Sequence, residues 1–481
     1  MISTNPFVSG KYLIGGDWIA ADKTANVINP ADHNEVVGEV ALCSKEHISK
    51  AVETAALAYE EWSQSEIKDR ADRMRQAANE IKTLVEENVT LLVRENGKVL
   101  VEAKKDLLRC VDIMREAADE LLEWWKPEVL PGNQKVQIRK RSRGVTAVIS
   151  PWNSPMILTF KRVIPAVLAG NTVVVKPATS CPLTIMTFLK VVASYFPKGV
   201  INVVTGSGKI IGDALCANPT VRTIAFVGST QTGKEIMRAA SGTVKNIYME
   251  LGGNDAAIVL EDANLDEEAI KRLRLGVLRA AGQVCSAVKR IYVHESRYEE
   301  LVQKLKKEFQ HLRVGNGIQP DVDMGPLNNK SQYDYVKGLI ERAGETGATV
   351  FTGGIQLDPE SWDKGFYILP TIITGAGQSS EIVQAEQFGP VIPILRFTDV
   401  KEAVKLANDS EFGLRASVWT EDESVAVQLA DRLEAGAVFH NNHTVFQDLH
   451  LDFPGLKESG LSRETRHCGL EFFADSYGFA D

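Results

Sequence analysis

Three side chains of this 481-residue chain have the types and settings of a reaction centre. Cys285 stands in Gly282-Gln-Val-Cys285-Ser-Ala287, after a predicted helix and among small residues that leave its sulfur accessible. Glu250 opens Glu250-Leu-Gly-Gly253 at the end of the run Asn246-Ile-Tyr-Met249. Asn153 lies in Pro151-Trp-Asn-Ser-Pro155, just past a predicted strand, at the edge where open α/β sheets bind ligands. A thiol that attacks a carbonyl, a carboxylate that activates water and an amide that donates to an oxyanion are the parts of acyl-transfer chemistry. Each also has an ordinary reading: a buried thiol, an ion-paired or capping glutamate, an Asx turn before proline.

Two glycine loops invite nucleotide readings and fail their strict forms. Gly228-Ser-Thr-Gln-Thr-Gly233-Lys234 matches a phosphate loop up to the lysine, but Glu235 stands where Ser or Thr should ligate magnesium. What survives is a strand handing over to a helix N-terminus, whose free N–H groups can receive a phosphate. Gly206-Ser-Gly208-Lys-Ile-Ile-Gly212 is one residue too long for the dinucleotide fingerprint.

The elements that must position these residues alternate long helical patterns with short β-branched runs, the signature of α/β layering with a mainly parallel sheet. Residues 45–62, 66–96 and 98–124 read as amphipathic helices, and Val145–Ile149, Thr172–Lys176, Ile201–Val204 and Thr223–Val227 as apolar strands with βαβ spacing. Ala256–Leu260 and Arg290–Val293, separated by a helix over 266–281, begin a second α/β unit meeting the first near residue 250. Lys126–Arg143 reads as a linker entering an exposed strand, and the apolar end Phe472–Asp481 as a strand that pairs with another subunit.

Composition bounds the rest. The chain is 44% apolar and 24% charged with hydrophobic residues throughout, which excludes a disordered or collagen-like protein. Its net charge of −9 argues against a nucleic-acid backbone binder. The six cysteines at 43, 110, 181, 216, 285 and 468 form no C-x-x-C or zinc spacing, so no metal site is expected and reduced thiols are. The first ten residues lack a signal-peptide pattern, and no apolar run reaches 18 residues. The expectation is a cytoplasmic protein without membrane or nucleic-acid partners.

Taken together and in order, these strings resemble the aldehyde dehydrogenase superfamily over nearly the whole chain. Further matching strings are Val174-Val-Lys176-Pro-Ala, Phe226-Val-Gly-Ser-Thr, Glu386-Gln-Phe-Gly-Pro390, Asn408-Asp-Ser-Glu-Phe-Gly-Leu414 and Gly455-Leu-Lys-Glu-Ser-Gly460, with 35 residues from Glu250 to Cys285. The resemblance implies a Rossmann-like NAD(P)-binding domain (1–123 and 143–251), an α/β catalytic domain (252–439) and a small β-strand oligomerisation arm (124–142 and 440–481) in a homodimer or homotetramer. It implies that Cys285 attacks the aldehyde, that Asn153 and the Cys285 N–H hold the oxyanion, and that Glu250 activates the water that hydrolyses the thioester. Retention of Glu250 favours hydrolysis over transfer to coenzyme A, the alternative outcome on the same fold.

For NAD(P)+ the resemblance implies Ile149, Pro151, Trp152, Lys176, Ala178, Thr179, Gly228, Ser229, Leu251, Glu386 and Phe388. Lys176 is expected at the adenosine ribose, Trp152 and Ser229 at the pyrophosphate, Glu386 at the nicotinamide ribose and Phe388 at the ring. Many NAD-using members carry glutamate where Thr179 stands; a hydroxyl there, beside Lys176, donates to a 2′-phosphate, so NADP+ acceptance is expected. The aldehyde pocket is expected at Ser154, Leu158, Val284, Ser286 and Phe446, near a loop with His440 and His443 at its entrance. Ser154 is small where many relatives carry an aromatic, which points to a bulky or aromatic aldehyde. None of those positions carries an arginine for a substrate carboxylate, which disfavours short semialdehydes.

Overall fold

Strands buried on both faces must be apolar at every position, and the runs read as strands meet that condition. In a computed structural model of the chain, which describes residues 8–132, 136–443, 454–461 and 467–480, Val145–Ile149 and Thr172–Lys176 are fully buried parallel neighbours. Their side chains alternate between two cores. Val145, Ala147 and Ile149 face Ile48 and Val52 of the helix Lys45–Trp62, whereas Val148 faces the core that holds Met156 and Phe160 of the helix Pro155–Leu168.

The first sheet has seven strands in the order 246–250, 221–227, 145–149, 172–176, 201–203, 11–14 and 17–20. Its first five strands are parallel and the last two antiparallel. The long helices Ile67–Asn96 and Leu100–Trp124 pack on each other and on the helices Pro155–Leu168 and Leu183–Ser194. The second sheet also has seven strands, in the order 349–352, 371–374, 391–397, 288–294, 255–259, 415–419 and 437–440, around its own core. A three-stranded sheet stands apart: Ala474–Ala480, Val136–Ser142 and Glu128–Val129. This is the α/β, Rossmann-like architecture with a second α/β unit and a small β arm.

One expectation needs correction. The helix expected over 266–281 runs from Glu267 to Leu278, and the chain then enters a left-handed stretch at Ala280, Ala281 and Gly282. Alanine favours helix, but tertiary contacts override that preference here. The 206–212 loop builds a π-helical turn at Gly208–Gly212. The C-terminal strand pairs antiparallel with Val136–Ser142 of its own chain, from Ala474 opposite Ser142 to Ala480 opposite Val136.

Candidate active site

The left-handed stretch sets where the thiol sits. Non-glycine residues at positive φ cost about 1–2 kcal/mol each, so φ of 51° at Ala280 and 55° at Ala281 must be held by neighbours. Half-buried Glu102 accepts from the Ala280 N–H (3.0 Å), and the Gln283 side chain donates to the Ala280 carbonyl (3.0 Å). Gly282 (φ +73°) permits the closest contact, because a Cβ there would lie 2.2 Å from the Gly389 carbonyl oxygen. The chain emerges into the turn Val284–Ala287, closed by the Ala287 N–H on the Val284 carbonyl (3.1 Å), with Val284, Cys285 and Ser286 half-buried. The other five cysteines are buried.

Asn153 arrives from the opposite sheet, four residues past the strand end at Ile149. Its side-chain amide donates to the Gln283 carbonyl at 2.9 Å, which leaves its second N–H for another acceptor. Glu250 ends the outer strand of the same sheet; its carbonyl accepts from the Gly228 N–H (3.1 Å), and the next N–H, at Leu251, donates to the Ser459 carbonyl (2.9 Å). Gly253 then passes so close to the thiol loop that a Cβ would lie 2.5 Å from the Cys285 carbonyl oxygen. The Cys285 thiol and the Glu250 carboxylate line the same cleft. Enclosure by protein pushes that thiol well above its usual pKa, the Glu250 charge pushes it further, and Lys289 and Arg415 pull it back.

All three residues line one cleft of about 520 Å³ between the two sheets, a size suited to a small ligand. Of the expected cofactor residues, Pro151, Trp152, Gly228, Ser229, Leu251, Glu386 and Phe388 line it as well. The Trp152 and Phe388 rings meet edge to face, with centroids 5.5 Å apart. Ser229 caps the helix Thr230–Ala240, whose N-terminus therefore faces the cleft. Glu386 accepts from the Gly253 N–H (2.9 Å), and burial lifts its carboxyl to about 7.

Ile149, Lys176, Ala178 and Thr179 lie outside this lining, together at the neighbouring strand ends. Ile149 is in register with Lys176, Ala178 is half-buried and Thr179 is exposed. The buried Lys176 ammonium makes no hydrogen bond or ion pair among the described residues, and burial lowers it to about 8. An orphaned ammonium, a helix N-terminus two strands away in the same sheet and a half-buried carboxylate farther along the cleft fit the phosphates and ribose of a dinucleotide. Lys234, the lysine of the apparent phosphate loop, is instead paired with Glu458 at 2.7 Å.

Among the expected substrate residues, Ser154, Leu158, Val284 and Ser286 are half-buried next to the trio but outside the cleft lining, and Phe446 lies outside the described residues. Of the two histidines expected at the entrance, His443 is not exposed there and His440 is exposed. His443 is fully buried against Asp255 and Ser417, and His440 bonds the Thr420 carbonyl. Residues that no motif singled out also shape the cleft. Gln332 and Tyr335 reach from the helix Lys330–Glu345 to the backbone carbonyls of Gln387, Phe388 and Glu386, and Glu411 and Phe412 line the far wall. Only their three-dimensional approach identifies them.

The comparisons with known proteins agree with this geometry. The model of the aldehyde dehydrogenase family matches residues 18–476. The chain is 34% identical over 471 residues to an alpha-ketoglutaric semialdehyde dehydrogenase of Bacillus subtilis (strain 168), covering 96% of each chain. It is 33% identical to a 3,6-anhydro-alpha-L-galactose dehydrogenase of Vibrio sp. (strain EJY3), covering 98% of each. Its fold matches betaine aldehyde dehydrogenase from Staphylococcus aureus in complex with NAD+, with a TM-score of 0.93, 32% identity and coverage of 98% and 95%. A 3,6-anhydro-L-galactose dehydrogenase in complex with NADP matches with a TM-score of 0.93 at 30% identity, covering 98% and 99%. Thiol, carboxylate and amide thus meet in one cleft on this fold, and the chain belongs to the aldehyde dehydrogenase family, whose enzymes use NAD(P)+.

Proposed function

We propose that this enzyme oxidises a neutral, bulky or aromatic aldehyde to its carboxylic acid through a thioester on Cys285. The observation that carries the reaction is the meeting of Cys285, Glu250 and Asn153 in one cleft. Cys285 releases its proton to solvent and attacks as the thiolate, its sulfur bonding to the aldehyde carbon. The carbonyl oxygen becomes an oxyanion held by the spare Asn153 N–H and the Cys285 N–H. Bound nicotinamide supplies the hydride acceptor that this oxidation needs. Pro151, Trp152, Gly228, Ser229, Leu251, Glu386 and Phe388 would hold the cofactor in the cleft, with Ile149, Lys176, Ala178 and Thr179 at its adenosine end. Glu250 then takes a proton from water, which it later gives up to solvent; hydroxide attacks the thioester, the acid leaves and the thiolate returns.

No arginine stands at the expected aldehyde positions Ser154, Leu158, Val284 and Ser286, which supports a neutral aldehyde over one bearing a carboxylate, and half-buried Ser154 leaves room for a bulky group. A semialdehyde is the second reading, favoured by the Bacillus subtilis relative. An aldehyde panel assayed with NAD+ and NADP+ in parallel tests the assignment. Aromatic aldehydes should outrank short semialdehydes; the reverse order would replace the first reading by the second. Product analysis with and without coenzyme A should give free acid in both cases. Thr179 supports acceptance of NADP+, and a tenfold or greater preference for NAD+ in kcat/KM would sink that part. The exposed C-terminal strand supports assembly with a second copy of the chain.

A further inference from the structure

Four residues beyond Cys285, on the strand Val288–His294, Lys289 is buried to 2% exposure. Its ammonium donates to the backbone carbonyls of Cys285 (2.7 Å), Val284 (2.9 Å) and Ala287 (3.3 Å), and it forms no ion pair among the described residues. A buried cation satisfied only by carbonyl oxygens is costly, so a purely structural turn would be better served by a neutral donor. The geometry supplies a use for the charge. In a trans peptide the N–H points opposite to the preceding carbonyl. Drawing the Val284 carbonyl onto Lys289 therefore turns the Cys285 N–H away from the lysine, toward the side on which an oxyanion must be received.

We infer that Lys289 is a positioning residue for the nucleophile: its ammonium gathers the carbonyls of the Cys285 turn, aims the Cys285 N–H, and supplies the positive field in which the thiol ionises beside Glu250. The inference rests on the reading of Cys285 as nucleophile. The charged groups that face the thiol are Glu250 from the outer strand of the first sheet, Lys289, and Arg415 from the strand Arg415–Trp419. Lys289 also acts on Glu386 and on His443, which burial keeps neutral beside Asp255. Lys289 and Arg415 are thus the cations that oppose Glu250 at the thiol, and Lys289 sits on the carbonyl side of the turn.

The test follows the pH dependence of Cys285 alkylation by iodoacetamide in the cofactor-free enzyme, with Cys285→Ser as the background, alongside kcat. Lys289→Gln keeps amide donors for the carbonyls but removes the charge. It should raise the alkylation midpoint by about one pH unit and cut kcat at neutral pH tenfold or more. Lys289→Arg, which keeps the charge, should bring the midpoint back toward wild type, and Glu250→Gln should lower it. Lys289→Met removes both charge and donors and should cost more activity than the glutamine variant. If the methionine variant fails to fold, the glutamine variant decides alone. A folded Lys289→Gln enzyme with an unmoved midpoint overturns the inference, even if kcat falls. Aldehyde oxidation surviving in Cys285→Ser would instead defeat the underlying assignment, so the two failures are distinguishable.

Discussion

Cys285, Asn153 and Glu250 divide the chemistry in ways that kinetics can separate. Cys285→Ser should abolish aldehyde oxidation, measured as NAD(P)H formation. Asn153→Ala removes one oxyanion donor and should cost roughly 3–4 kcal/mol, or about 10²–10³ in kcat. Glu250→Gln should give a burst of one NAD(P)H per site followed by slow turnover, because the thiol loses a neighbouring negative charge while the water loses its base. A proportionate loss with no burst would place Glu250 in thiol activation alone. These three residues were legible in the sequence because each sits in a short contiguous string. Gln283, Lys289 and Gln332 were not, because they act on backbone carbonyls brought near by the fold. A carbonyl acceptor leaves no mark on residue type.

The elements that carry the trio work by restraint at their ends. Gly282→Ala combines a left-handed φ with a Cβ 2.2 Å from the Gly389 carbonyl, and should destabilise the enzyme by about 2–3 kcal/mol and disorder the thiol loop. Denaturant titration and alkylation kinetics read the two effects separately. The last turn of the helix Ile67–Asn96 carries fully buried Glu95, whose carboxylate accepts the first N–H groups of the helix Leu183–Ser194, from Leu183 (2.7 Å) and Thr184 (2.8 Å). Burial nevertheless lifts this carboxyl from 4.5 to about 7. The folded state therefore binds the proton more tightly than the unfolded chain. The stability that this binding adds is complete below about pH 4.5 and lost as pH rises through about 7, a swing of about 3 kcal/mol. Glu95→Gln should flatten the stability profile between pH 5 and pH 8 relative to wild type; parallel profiles would refute the assignment. Helix and strand positions followed from periodicity, but the end at Leu278 did not. Ala280 and Ala281 are good helix formers held left-handed by Glu102, far away in the sequence, and by the side chain of nearby Gln283.

Across the whole molecule, the small sheet presents Ala474–Ala480 as its outer strand, with Tyr477 and Phe479 exposed on it. An unpaired edge bearing aromatics favours association. Tyr477→Asp combined with Phe479→Glu should therefore shift the sedimentation coefficient toward the monomer, and an unchanged value would place the interface elsewhere. The sequence showed this strand but not its internal partner, because the pairing with Val136–Ser142 spans more than 300 residues of intervening chain. One contact joins the halves at the chemistry itself: the Asn153 amide of the first sheet is hydrogen-bonded to the Gln283 carbonyl of the second unit. The reacting groups are thus shared between two bodies, each with its own core. A slip of one body against the other by an ångström would spoil the alignment while leaving both cores intact. Turnover in this enzyme acts as a strain gauge across the seam, and under rising denaturant it should fade before either half begins to melt.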